Sequence, residues 1–236
     1  MKKLPWYRKI GYFNNPFSIK PASFHDSLFG VDDKVDEIIK SIKAGQCCFI
    51  AGEYGSGKTS ALKRIIHQFK NKGKVIYYSF SLSSKSLDIN KLLVGRSGFF
   101  RRLFGIMATD VILLLDEVSD MTVKDSRQIK EYYDEGHFKS IVFVGKDLDN
   151  SVPTIVKNMV RSNIYTFKGL SDSDAVQLVR KRIGKLQMIS DDTIIKVNKK
   201  SNNPRDLLKN MEDVFRHAVE SKKPAVDDQS IASVLK

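Results

Sequence analysis

The sequence predicts an α/β fold: a five-stranded parallel sheet covered by helices on both faces, followed by a small all-helical domain. Three observations carry this expectation. Short apolar runs alternate with amphipathic stretches as far as Phe167, the order that a parallel sheet with crossover helices requires. Gly52-Glu53-Tyr54-Gly55-Ser56-Gly57-Lys58-Thr59 fills every fixed position of the phosphate-loop pattern G-x-x-x-x-G-K-[ST]. From Ser171 onward the periodicity is wholly helical. The division implied is 1–168 for the sheet domain, with its N-terminal arm, and 169–236 for the helical one.

The arm, residues 1 to 31, holds Trp6, Tyr7, Tyr12, Phe13, Pro16 and Phe17 and ends in Leu28-Phe29-Gly30-Val31. It reads as a segment lying over the sheet domain, either walling a base pocket or only covering the sheet. Asp32 to Ala44 has acids in its first turn and apolar residues at Val35, Ile38, Ile39 and Ile42, which makes a helix. Cys47-Cys48-Phe49-Ile50-Ala51 reads as a buried strand, and the helix after the phosphate loop repeats Ala61, Leu62, Ile65, Ile66 and Phe69. Lys74 to Phe80 reads as the second strand and Leu87 to Val94 as a helix. Gly95 to Phe104 mixes Arg96, Arg101 and Arg102 with Phe99, Phe100 and Phe104. Arginines meet phosphates and aromatic rings stack on bases, so this is a nucleic-acid contact candidate; the same apolar residues also fit one core-facing helical side.

Val111-Ile112-Leu113-Leu114-Leu115-Asp116-Glu117 is a buried strand ending in two acids, a Walker B pattern. An apolar strand cannot hold an unpaired carboxylate in its middle, so Asp116 must emerge at the C-terminal edge of the sheet. A helix from Val123 to Asp134, a strand from Ser140 to Gly145 and a fifth strand from Asn163 to Phe167 complete the domain. The helical domain opens at the cap Ser171-Asp172-Ser173-Asp174, continues from Ser190 or Asp191 to Val197, restarts at Asn203-Pro204 and closes with Asp227 to Leu235.

The chemistry of the phosphate loop is specific. Glycines let the backbone curl with N–H groups inward, and the following helix presents its free N–H groups and positive dipole end to a polyphosphate. Lys58 is placed for the β- and γ-phosphates, and the Thr59 hydroxyl and Asp116 for Mg²⁺. Gly52 to Ser60 line the nucleotide, and Glu117 stands where a general base would orient or deprotonate water.

Composition narrows the class. The 236 residues carry a formal net charge of +13, most of it in residues 1–168, where 27 Lys and Arg face 17 Asp and Glu. Such a balance suits a polyanionic partner, nucleic acid or an anionic membrane face, or is simply a solvated basic surface. Cys47 and Cys48 are adjacent in a core strand and read as thiols in a reducing compartment, and the four histidines are scattered without ligand spacing, against a zinc site. No apolar run approaches a bilayer span and the N-terminus has no apolar signal core. We expect a soluble, cytoplasmic protein without a membrane partner.

Phosphate loop, acid pair and helical C-terminal domain together resemble the AAA+ ATPases: an α/β P-loop NTPase, three layers αβα with a five-stranded parallel sheet, plus a helical lid. The match is nearest the branch of origin-recognition and replication-initiation ATPases and the bacterial ExeA and transposition-regulator type. It rests on Asn15-Pro16-Phe17 with Leu28-Phe29-Gly30, on Val160-Arg161-Ser162-Asn163-Ile164, and on Ser201-Asn202-Asn203-Pro204-Arg205-Asp206-Leu207-Leu208, which resembles the lid-helix motif. The resemblance implies ATP and Mg²⁺ as ligands, ATP hydrolysis slow in the monomer, Arg161 as an arginine finger in a neighbouring subunit's site and Arg205 as a γ-phosphate contact. It further implies a homo- or hetero-oligomer acting on duplex DNA in replication initiation or DNA mobility. A nucleotide-dependent protein-interaction scaffold, a secretion-associated ATPase and a clamp-loader-like subunit are the other readings.

Two departures stand out. Gly145-Lys146-Asp147 sits where the family's first sensor is usually neutral and polar, which leaves Lys146 as a phosphate contact and hydrolysis slow. The replication initiators carry a winged-helix domain after the lid, whereas the sequence stops at Lys236, so DNA contacts are expected from the ATPase body.

Overall fold

The computed structural model describes residues 4–19, 29–70, 74–82, 87–96, 107–149 and 152–235. The chain forms two compact units: Val31–Tyr54 with Lys58–Phe167, and Met1–Gly30 with Gly55–Gly57 and Lys168–Lys236.

The first unit is built on five parallel strands, β1 (Cys48–Gly52), β2 (Lys74–Ser79), β3 (Val111–Asp116), β4 (Phe138–Gly145) and β5 (Ile164–Phe167), in the spatial order β2-β3-β4-β1-β5. Burial explains the order. Every residue of β1 and β3, and all of β4 except Lys139, is buried, as central parallel strands covered on both faces must be. The edges fall to β5, where only Phe167 is buried, and to β2, which exposes Tyr77.

Side chains alternate across the sheet. Phe49, Ala51, Val111, Leu113, Leu115, Ile141 and Phe143 form one face, with a core completed by Ile89 and Leu93 of α4 (Ile89–Arg96), Ile129 of α5 (Val123–Asp134) and Val156 and Val160 of α6 (Thr154–Val160). The intervening Cys48, Ile50, Leu114, Val142 and Val144 are equally buried. Against them pack α2 (Asp32–Lys43), on β1 and β4, and α3 (Lys58–Phe69), on β1 and β2. The three-layer αβα architecture expected from the sequence is present. Burial pushes the Cys47 and Cys48 thiols up from their ordinary values, which makes them packing residues rather than nucleophiles.

The helical unit comprises α1 (Trp6–Lys9), α7 (Asp172–Ile183), α8 (Asp191–Lys199), α9 (Pro204–Glu220) and α10 (Asp228–Val234). Each of the last four starts at a side-chain cap: Ser171, Ser190, Asn203 and Asp227 accept from the backbone N–H three residues on. The first three caps contribute about 1 kcal/mol each. The centre is α9, whose Leu207, Leu208, Met211, Val214, Phe215 and Ala218 are buried.

The aromatic arm goes elsewhere than the sequence led us to expect. Trp6 and Phe17 belong to the core of the helical unit, where Trp6 stacks on Phe17 at 6.3 Å and Phe17 lies 4.9 Å from Phe215 between ring centroids. The long apolar face of α9 offers these rings more burial than a sheet already covered by α2 and α3. They are core residues of the helical unit rather than a cover for the sheet. Leu28 of the arm, and residues 97–104 of the arginine and aromatic stretch, lie outside the described residues.

Candidate nucleotide-binding site

Topology concentrates chemistry at one edge. In an open parallel sheet, ligands gather outside the C-terminal ends of the strands; there the phosphate loop leaves β1, Asp116 and Glu117 end β3, and Lys146 follows β4, the strand between them. With adjacent strands about 4.8 Å apart, the ends of β1 and β3 stand roughly 10 Å from each other, the reach of a lysine and a carboxylate combined. The Gly52 N–H donates to Lys146 O at 3.0 Å, which fixes the start of the loop against the end of β4.

Within the loop, Gly55 and Gly57 take φ of +90° and +99°, a region that side-chain-bearing residues rarely adopt. In the helical unit, a Cβ added at Gly55 would lie 2.7 Å from Asn203 Oδ1 and 2.8 Å from Arg205 Cβ, so glycine is needed at Gly55 for space as well as for conformation. A Cβ at Gly57 would meet nothing within 4 Å.

Ser56 is 3% exposed and, among the described residues, its hydroxyl has no hydrogen-bond partner. A buried hydroxyl left so costs about 1–3 kcal/mol unless something else accepts from it. Helix α3 opens with Lys58 and has no acid in its first turn. Its N–H groups keep their dipole for an external anion. These features fit a polyphosphate.

Lys58 Nζ donates to the carbonyls of Gly52 (2.5 Å) and Glu53 (3.0 Å). Its pKa is lowered from the ordinary lysine value, chiefly by burial, against the opposing charges of Glu117, Asp116 and Glu53. Those three carboxylates are therefore within electrostatic reach of the ammonium. Thr59 is exposed, and Ser60 half-buried.

Asp116 is 5% exposed, and both of its oxygens are engaged: Oδ2 accepts from Tyr77 Oη and Oδ1 from the Glu117 N–H, each at 3.0 Å. Burial first, and Asp116 second, push the Tyr77 phenol up to about 12, so it remains a donor. Glu117 itself sits in the left-handed region, φ 55° and ψ 48°, held there by the turn Val118–Asp120 that follows. Lys146 Nζ lies 3.1 Å from Glu53 Oε1.

Arg161 lies apart from this cluster. Exposed at the end of α6, it precedes β5, and the neighbouring Asn163 carbonyl accepts from the Phe49 N–H near the start of β1. That is the N-terminal edge of the sheet, opposite Lys58 and Asp116. Arg205 is the second residue of α9, in the helical unit. The sequence reading missed Tyr77, although parallel register, with Ser79 beside Asp116, would have put its face alongside the acid.

Compared by sequence, the chain matches no protein-family model and no curated protein. Compared by fold, it superposes on solved structures over nearly its whole length. The structure of Drosophila ORC bound to DNA matches with a TM-score of 0.72 at 14% identity, over 94% of this chain and 63% of that one. Cdc6p from Pyrobaculum aerophilum gives 0.68 at 12%, over 92% and 70%. The Thermotoga maritima RuvB Holliday junction branch migration motor gives 0.67 at 13%, over 92% and 72%.

The fold is that of the AAA+ ATPases. At such identities the likeness concerns the fold, and the chain spans less than two thirds of the Drosophila protein's length. Among the described residues no helix is long and apolar enough to cross a membrane.

Proposed function

We propose that this protein binds Mg·ATP at the phosphate loop and hydrolyses it, acting as an oligomeric ATP-dependent switch on duplex DNA. One observation carries the reading: the phosphate loop with Lys58 leaves β1, and Asp116 and Glu117 end β3, at the same edge of the sheet. A cation and two carboxylates flanking a glycine loop and a helix N-terminus are what phosphoryl transfer needs for positioning and charge stabilisation.

In this reading the loop N–H groups from Gly52 to Ser60 and the Ser56 hydroxyl cradle the phosphates, and Lys58 leaves its loop carbonyls for the β- and γ-phosphate oxygens. Thr59 and Asp116 would hold the magnesium ion, which neutralises phosphate charge when bound. The Glu117 carboxylate orients the attacking water and takes its proton. Arg205 contacts the γ-phosphate, and its approach to Gly55 within the helical unit supports that role. Arg161 stands at the edge of the sheet opposite its own loop, and so is suited only to the site of another subunit. Supplied in trans, an arginine is worth about 10³ to 10⁵ in rate, so the isolated subunit is a slow ATPase. The formal charge of +13 supplies the attraction to DNA phosphates.

The test is the ATPase rate measured against protein concentration, with and without duplex DNA, at low and high salt. We expect the rate per subunit to climb with concentration and with DNA, and DNA affinity to fall steeply with salt. A rate independent of both, with no DNA bound at low salt, would sink the switch on DNA and favour a nucleotide-dependent protein scaffold.

A further inference from the structure

β2 and β3 run in parallel with Tyr77 beside Leu114 and Ser79 beside Asp116. Two-residue alternation therefore puts Tyr77, Ser79, Leu114 and Asp116 on one face of the sheet, the face that α3 covers. Tyr77 is the diagonal neighbour of Asp116, a spacing a long aromatic side chain spans. Its Oη reaches Asp116 Oδ2 at 3.0 Å, while the Glu117 N–H takes Oδ1 at 3.0 Å.

The asymmetry between the two residues is informative. Asp116 is 5% exposed and Tyr77 is 40% exposed. A carboxylate that deep needs hydrogen-bond donors in place of water. The backbone N–H of Glu117 supplies one and Tyr77 the other, and the two together fix both oxygens of the group. The phenol, by contrast, stands at the edge strand, where an apolar ring or a short polar residue would serve the sheet as well. Its hydroxyl is spent on Asp116.

We propose that Tyr77 is the positioning residue of Asp116: its phenolic O–H, donated to Oδ2 opposite the Glu117 N–H on Oδ1, holds the carboxylate in a single orientation, so that the acid meets magnesium as a preformed ligand. This rests on the reading of Asp116 given above. A tyrosine that merely covered the sheet edge would influence stability alone, whereas a positioning tyrosine sets the magnesium dependence of nucleotide binding.

The experiment titrates Mg²⁺ into the full chain with a fluorescent ATP analogue and follows binding, not turnover, for the parent, Tyr77→Phe, Asp116→Asn and the double variant. Hydrogen bonds to charged groups are worth enough that Tyr77→Phe should raise the half-saturating Mg²⁺ about 10-fold, with magnesium-free nucleotide affinity unchanged. In the double variant the loss should equal that of Asp116→Asn alone, because Tyr77 acts through Asp116. A parental Mg²⁺ response in Tyr77→Phe, alongside a weakened one in Asp116→Asn, overturns the role of Tyr77 and leaves Asp116 as the ligand. A parental response in Asp116→Asn overturns both. Thermal unfolding of Tyr77→Phe provides the control: a lowered midpoint with an unchanged Mg²⁺ response assigns the residue to the sheet alone.

Discussion

Lys146 and Glu53 form an ion pair across the mouth of the phosphate loop, Nζ to Oε1 at 3.1 Å, with side chains 64% and 68% exposed. A pair this exposed contributes about 0–1 kcal/mol and is screened by salt, so the fold does not depend on it. Its position does carry meaning, because Lys146 leaves β4 between the loop and Asp116. We expect Lys146→Ala to leave denaturant unfolding within about 1 kcal/mol of the parent while hydrolysis falls about 100- to 1,000-fold at saturating ATP, the scale of a lost charge-stabilising donor. Parental turnover in Lys146→Ala would remove this lysine from the reaction.

Lys58 has a pH signature of its own. Burial lowers its folded pKa below the ordinary 10.5, so the charged form is disfavoured in the folded chain. A base with a depressed folded value costs stability while protonated; that cost is relieved as pH rises from the lowered value toward 10.5. Lys58→Met should therefore gain most relative to the parent below that window and least above it. Bound phosphate reverses the effect by favouring the ammonium. In alkaline solution nucleotide binding should draw a proton onto the protein, visible in calorimetry as a binding heat that depends on the buffer, and Lys58→Met should lose that dependence. An identical buffer dependence in Lys58→Met would assign the proton to another group.

Why some of this was readable and some was not follows from the range of the forces involved. The strands β1, β3 and β4 are buried on both faces, so each is a continuous apolar run that composition alone betrays. Helix α9 announces itself by Asn203-Pro204 at its start, and Asn203 does cap it. The phosphate loop and the acid pair are local patterns with fixed spacing. What escaped detection depends on pairing between distant segments. Neither α6, which opens without a side-chain cap, nor α1, four residues long, has a strong local signal. The docking of Trp6 and Phe17 on Phe215, the Tyr77 to Asp116 hydrogen bond and the reach of Lys146 to Glu53 are decided by tertiary packing and strand register.

Glu117 combines strain with function. Its φ of 55° and ψ of 48° put a side-chain-bearing residue in the left-handed region, at a cost of about 1 kcal/mol relative to glycine. We expect Glu117→Gly to be more stable than the parent by about 0.5–1 kcal/mol and unable to hydrolyse ATP. Glu117→Gln keeps the strain, so its unfolding midpoint should match the parent while ATP stays bound and uncleaved. Thermal unfolding alongside the fraction of bound nucleotide remaining as ATP separates the two effects. If Glu117→Gln turns over at the parental rate, the base is some other group.

Arg161 is another strained position, at φ 50° and ψ −113°, a conformation that costs a side-chain-bearing residue on the order of 1–3 kcal/mol. It is exposed, so burial does not offset that cost, and glycine would relieve it. We expect Arg161→Gly to raise the unfolding midpoint and Arg161→Ala, which keeps the Cβ, to leave it nearly unchanged; both should lose the rise of ATPase rate with concentration. Complementation then decides whether the arginine works in trans. Lys58→Ala subunits have Arg161 but a disabled loop, and Arg161→Ala subunits have an intact loop but no finger. Each alone should be nearly inactive, whereas a mixture should regain turnover, because the first donates its arginine to the nucleotide held by the second. A mixture no more active than its components would confine Arg161 to its own chain, where the sheet separates it from Asp116.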